Sequence, residues 1–186
     1  MGWDIAGSIN VMPPKNNLGS AYGLQRGHPL GAGLTTFTLA INVLYLIPIY
    51  IADWEEFTQA QIEVSTLQAA STIRLGAYTD VDGAPSALIY DAGTVSAAAT
   101  GFKIATISKF MPQGYNWLCC VADTAGIIVR AINQTSTLPQ LGHASATDTV
   151  YYNSLSVAFT AGALPSTVPA TPALVNSAAP SLMIGV

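Results

Sequence analysis

Thr72-Ile73-Arg74-Leu75-Gly76-Ala77-Tyr78-Thr79 runs into Asp80-Val81-Asp82-Gly83-Ala84-Pro85, and Ser86-Ala87-Leu88-Ile89-Tyr90 restarts the pattern before Asp91-Ala92-Gly93 turns the chain again. Each unit is a short apolar run with β-branched or aromatic residues, closed by Gly, Pro or Asp, and reads as a strand ending in a turn. The unit recurs as far as Ala122. Phe102-Lys103-Ile104-Ala105-Thr106-Ile107-Ser108 alternates strictly, Met111-Pro112-Gln113-Gly114 is a turn, and Tyr115 to Ala122 has the aromatics and scarce polar groups of a central strand.

The same reading extends in both directions. Before the stretch, Thr36, Thr38 and Ala40 alternate with Phe37, Leu39 and Ile41, and Asn42 turns the chain into Val43 to Ile51, a run too apolar to face water on either side. Pro48 cannot donate to a ladder and belongs at an edge, a bulge or a bend. Asp53-Trp54-Glu55-Glu56 reads as an acidic turn, and Phe57 to Ser65 then sets Ile62 and Val64 against Gln61 and Glu63. After the stretch come a strand with Arg130 embedded in it (127–132), a long loop (133–148), one more strand within 149–159, a Pro/Ala/Ser/Thr tract (161–180) and a closing strand (181–186). Roughly eight to ten short strands, with no amphipathic helix, imply an all-β fold: an antiparallel β-sandwich of jelly-roll type.

Two parts are expected: an extended N-terminal arm (1–33) and a β-sandwich domain (34–186). The arm is rich in Gly and Pro, yet it carries Trp3, Ile5, Ile9, Val11, Met12, Tyr22 and Leu24, which are costly to leave in water. It is expected to lie against a partner or a neighbouring subunit. Met1-Gly2-Trp3-Asp4 lacks the positive start of a secretion signal. Leu39 to Ala52, the longest apolar run, falls short of the roughly 20 residues of a membrane helix.

Composition narrows the function classes. Only 9% of the 186 residues are charged while 51% are hydrophobic, against about 25% charged in an ordinary domain. Such a surface suits a protein packed against others. The six Lys and Arg are scattered and the net charge is −4, so no basic stripe for nucleic acid exists. Cys119-Cys120 would point to opposite faces of a strand as reduced packing residues.

Residues 34 to 135 carry a series of short motifs: Ile73-Arg74-Leu75-Gly76-Ala77-Tyr78, Asp80 to Pro85, Asp91-Ala92-Gly93-Thr94-Val95, Gly101-Phe102-Lys103, Ile107-Ser108 and Gly114-Tyr115-Asn116-Trp117-Leu118. This succession resembles a module recurrent in virion proteins of tailed bacteriophages, with a weaker echo in Pro180 to Val186. In that module the tyrosine and tryptophan of the last motif are adjacent, whereas Asn116 separates them here. The resemblance implies a β-sandwich in a capsid surface, tail fibre or spike protein, commonly a homotrimer. With no shaft repeat or coiled-coil heptad in the chain, a capsid decoration or cement protein, bound to the major capsid protein or other virion proteins, is the expectation. A fibre or spike subunit recognising host surface glycans is the alternative.

Chemistry is sparsely signalled. His28 and His143 lie in a Gly/Pro-rich segment and a loop, without a nucleophile elbow or a zinc-binding helix motif. Adjacent acids at Asp53, Glu55 and Glu56 are a poor substitute for two carboxylates facing each other across a cleft. Asp80-Val81-Asp82-Gly83 lacks the remaining ligands of a calcium loop and reads as a hairpin turn, as Asp91 before Gly93 reads as a turn. No catalytic residue, cofactor or metal site is expected. Most of Tyr50, Tyr78, Tyr90, Tyr115 and Trp117 fall at core spacing, which leaves Trp54, Tyr151 and Tyr152 as candidate glycan contacts.

Overall fold

The computed structural model describes residues 25–27, 34–51, 53–133, 154–175 and 177–185. Among them the structure is all-β, with thirteen strands in two antiparallel sheets stacked as a β-sandwich. Sheet A contains β1 (Gln25–Gly27), β2 (Leu34–Thr38), β4 (Glu55–Thr66), β7 (Gly101–Met111), β9 (Ile128–Ile132), β12 (Ala179–Pro180) and β13 (Leu182–Gly185). Sheet B runs in the order β11 (Ala173–Leu174), β10 (Leu155–Ala158), β3 (Val43–Ile51), β8 (Gly114–Ala122), β5 (Thr72–Val81), β6 (Ala84–Ser96). The strands outnumber the sequence expectation because β1 falls within the segment expected as an arm and the Pro/Ala/Ser/Thr tract contributes two-residue pieces that carry no hydrophobic period of their own.

One long ribbon organises both sheets. In sheet B, β3 pairs with β8 from Leu44↔Val121 to Ile51↔Gly114. Both chains then cross to sheet A, at Asp53-Trp54 and at Pro112-Gln113, and pair again as β4 and β7 from Glu55↔Met111 to Val64↔Gly101. The acidic turn is therefore shorter than its residues imply, since Glu55 and Glu56 already belong to β4. The expected central strand is β8, flanked by β3 and β5. Pro48 pairs with Trp117 on one side, while the β10 pairing on the other side stops at Leu46, so its missing N–H falls beyond the end of that ladder.

The β5–β6 hairpin closes on two residues, Asp82 (φ 52°) and Gly83 (φ 80°), between the paired Val81 and Ala84. Positive φ at both positions is the signature of a type I′ turn, whose twist matches the flanking strands. Asp91-Ala92-Gly93 does not turn the chain, contrary to its composition. β6 continues through it to Ser96, and the register passes from Leu75↔Gly93 to Gly76↔Asp91, leaving Ala92 unpaired in a bulge. Gly93, at φ 76°, supplies the left-handed residue such a bulge accommodates.

Alternation divides the side chains into two cores. Tyr45, Ile47, Ile49 and Ile51 of β3 meet Phe57, Ala60, Ile62 and Val64 of β4 between the sheets, with Ile73, Leu75, Leu118, Cys120, Val129, Leu182 and Ile184. Each fully buried aliphatic side chain contributes about 1.5–3 kcal/mol. The other face of sheet B holds a second cluster, Leu44, Leu46, Tyr78, Trp117, Cys119 and Val121, with Leu155, Val157 and Leu164. That explains why β3 and β8 are apolar on both faces. The two free cysteines divide as their spacing demands, Cys120 in the first cluster and Cys119 in the second.

The second cluster is covered by a strap from Phe159 to Val168. Leu88 donates its N–H to Ser166 O (2.9 Å) and Val168 its N–H to Ser86 O (3.4 Å), so the strap also occupies the edge of β6. Asn42, at φ 58°, holds the near end by accepting from Phe159 N–H and Ala161 N–H, both at 2.9 Å.

Candidate functional site

The polar groups of the fold are chiefly engaged in holding it together. The Asp91 carboxylate accepts from Arg74 Nε at 2.9 Å, from Gly93 N–H at 2.9 Å and from Leu164 N–H at 3.0 Å. Burial works to raise this carboxyl, but the amides of Leu164 and Gly93 and the Arg74 guanidinium outweigh it and hold it below the ordinary carboxylate range. Asp80 accepts from the Trp117 indole Nε1–H at 2.7 Å through one oxygen and from Gly83 N–H at 3.0 Å through the other. Both aspartates singled out as turn residues thus tie a neighbouring element to the sheet.

Buried thiols and phenols lie deeper. Burial pushes Cys120 up to about 12, Cys119 well above its ordinary value, and Tyr45, Tyr78 and Tyr90 upward as well. These groups remain protonated at neutral pH, where a thiolate nucleophile would need the opposite shift. A cavity of about 10 Å³, lined in part by Gly76, Tyr90, Leu118 and Cys119, is the size of a single water. Among the described residues, no group of three or more His, Cys, Asp or Glu could hold a metal ion, and no helix is long and apolar enough to cross a membrane.

The exposed apolar residues offer more. On β7, Phe102, Ile104 and Phe110 are 58%, 53% and 59% exposed, while Ala105, Ile107 and Met111 turn to the core. Pairing places Phe102 beside Glu63, Ile104 beside Gln61, Thr106 beside Gln59 and Phe110 beside Glu56 on the outer face of sheet A. Gln61 is buried there, flanked in register by Ile104 and Met183, and its Nε2 donates to Gln59 Oε1 at 2.7 Å. Glu63 is bound by Arg130 (3.1 Å), and Arg130 is paired in turn with Thr36 of β2. A row across this face therefore reads Phe102, Glu63, Arg130, Thr36. Among the described residues this outer face is sparsely charged: the Glu63–Arg130 pair neutralises itself, and Glu56 accepts from Ser108 Oγ at 2.6 Å.

At the corner where the ribbon crosses between sheets, Trp54 is 64% exposed, as its place in an acidic turn led us to expect. Its N–H donates to Asp53 Oδ1 at 2.8 Å. Tyr115, expected in the core, is exposed instead, because it begins β8 beyond the reach of the strap, and it packs edge-on against Tyr50 with ring centroids 5.3 Å apart. Tyr78, Tyr90 and Trp117 are buried as expected. Tyr151, Tyr152, His28, His143 and the arm residues Trp3, Ile5, Ile9, Val11, Met12, Tyr22 and Leu24 lie outside the described residues. The outward Phe102 and Ile104 escaped the sequence reading. Their signal was apolar residues on both phases of β7, the pattern of a strand with two surfaces to cover.

No protein-family model matches this chain, and no curated protein matches it.

Proposed function

We propose that this protein is a structural subunit of a bacteriophage virion, a jelly-roll decoration or cement protein that seats on the capsid surface as a homo-oligomer. The observation that carries the reading is the outer face of sheet A, where the large apolar residues Phe102, Ile104 and Phe110 stand exposed among few charges. Such a face is costly on a free-standing monomer and useful on a subunit packed into an assembly. The motif resemblance supports the virion setting, and the ribbon folded across both sheets supports the jelly-roll form. The arm is the element proposed to bind the major capsid protein.

The experiment is truncation. Because β1 (Gln25–Gly27) pairs with β13, the cut belongs after Leu24, which leaves that pairing in place. The shortened chain is expected to fold and to lose the rise in capsid rupture temperature that the full chain confers. Undiminished attachment to capsids would sink the anchoring role.

A tail-located subunit binding host glycans is a second reading, favoured by the exposure of Trp54 beside the Asp53 carboxylate. A glycan array probed with the full chain and with Trp54→Ala separates the two. Specific glycan binding lost on substitution supports the second reading.

A further inference from the structure

The two sides of the sandwich are finished differently. Sheet B has its outer face covered by the chain's own strap, and the strap also occupies the edge of β6. On sheet A no described element covers Phe102, Ile104 and Phe110, and Leu34 on β2 is exposed as well. We infer that the outer face of sheet A is the contact between two copies of this chain, packed face to face about a two-fold axis. This rests on the proposed reading only in expecting an oligomer; it adds which surface meets which.

Area, charge and edge geometry each favour that occupant. The face is built by β7 and β4, eleven and twelve residues long, with β9 and β2 at five residues each and β13 at four. At about 4.8 Å between strands and about 3.3 Å per residue they present on the order of 600 Å². That is the lower end of the roughly 600–1,000 Å² that each partner covers in a stable complex. An isologous contact must be self-complementary, and the ion pair on this sparsely charged face satisfies this: after a two-fold rotation, Glu63 of one copy can meet Arg130 of the other. With a net charge of −4, two chains repel overall, and this sparsely charged face is where they can approach. Pairing through the edge of β7 that no described strand occupies is disfavoured, because Lys103 and Lys109 lie along it and the register shift opposite Phe57 and Gln59 bends it. The partner therefore comes onto the face and leaves the edge alone. A two-fold contact gives an even number of copies, unlike the trimer that the motif resemblance implies.

Sedimentation velocity of the full chain from about 1 to 100 µM, spanning common dimer affinities, tests this. The native protein is expected to sediment at twice its 19.3 kDa mass. The double variant Phe102→Glu/Ile104→Glu is expected to weaken association at least about 100-fold, with an unchanged far-ultraviolet spectrum. Val81→Glu, at an exposed hairpin tip of sheet B, is expected to leave the dimer intact. A native monomer, a trimer, or a double variant that stays dimeric overturns the inference. Capsid attachment is measured in parallel: a monomer that raises capsid rupture temperature overturns the pairing alone, and a dimer that attaches to no capsid overturns the virion reading alone.

Discussion

Gly76 makes room for Leu164. A Cβ built on Gly76 would overlap Leu164 Cδ1 and stand 2.7 Å from the Tyr90 carbonyl oxygen, so glycine is required for the strap to seat on β5. Gly76→Ala is expected to destabilise the protein by about 1–3 kcal/mol, the usual range for overpacking. Urea titration should register this as a lower midpoint with little change in slope. Adding Leu164→Ala should recover only part of the loss, because the clash with the Tyr90 backbone persists and a cavity opens.

Asp91 holds the same strap electrostatically. Its carboxyl is lowered from an ordinary value of 3.8, so its contribution is fully present above that value and is lost as pH falls through the folded one. Strap amides such as Leu164 should therefore lose protection, relative to their intrinsic exchange rate at each pH, below about pH 4 while the inter-sheet core stays protected. Asp91→Asn turns one acceptor into a donor facing an N–H and is expected to cost about 1–3 kcal/mol at pH 7. Unchanged exchange at Leu164 in that variant would remove the role assigned here.

How far the sequence discloses this molecule depends on how local the cause is. Alternation within β4 and the Asp82-Gly83 turn are written in adjacent residues, and the strand assignments there hold. Asp91-Ala92-Gly93 has turn composition but forms a bulge, because the neighbouring β5 supplies a ladder on which β6 can continue. The strap was legible only as a Pro-rich tract: its order comes from Asn42, Tyr78, Ser86, Leu88 and Asp91, all far away in sequence. The outward face of β7 was hidden for a similar reason: with Phe102 and Ile104 on one phase and Ala105 and Ile107 on the other, nothing local tells which phase points inward until a second sheet fixes it.

Alkaline pH should unfold this protein steeply. The thiols of Cys119 and Cys120 and the phenols of Tyr45, Tyr78 and Tyr90 are all raised by burial from ordinary values of 9.0 and 10.0. Their contribution is complete below those values and declines as pH rises above them, since the unfolded chain then releases protons that the folded one retains. The expected slope is about 1.4 kcal/mol per pH unit for each group ionised in the unfolded state. Urea midpoints between pH 7 and 11 should be level to about pH 9 and then fall, and Cys120→Ala should lessen the early part of the fall. A level profile through pH 11 would contradict the burial of these groups.

Trp117 and Asp80 carry the last expectation. The indole is 2% exposed, and its N–H bond to Asp80 links the central strand β8 to the hairpin of β5 and β6. Asp80→Ala would leave that N–H buried without its acceptor and release Gly83 N–H, at a cost of about 1–3 kcal/mol for the indole alone. Asp80→Asn keeps one acceptor oxygen and should lose less, provided the amide turns its oxygen toward Trp117. The two variants therefore order the loss as Ala greater than Asn, and the Trp117 indole proton resonance should shift strongly only in Asp80→Ala. Equal losses would mean that the carboxylate's charge, and not its acceptor geometry, sustains the link.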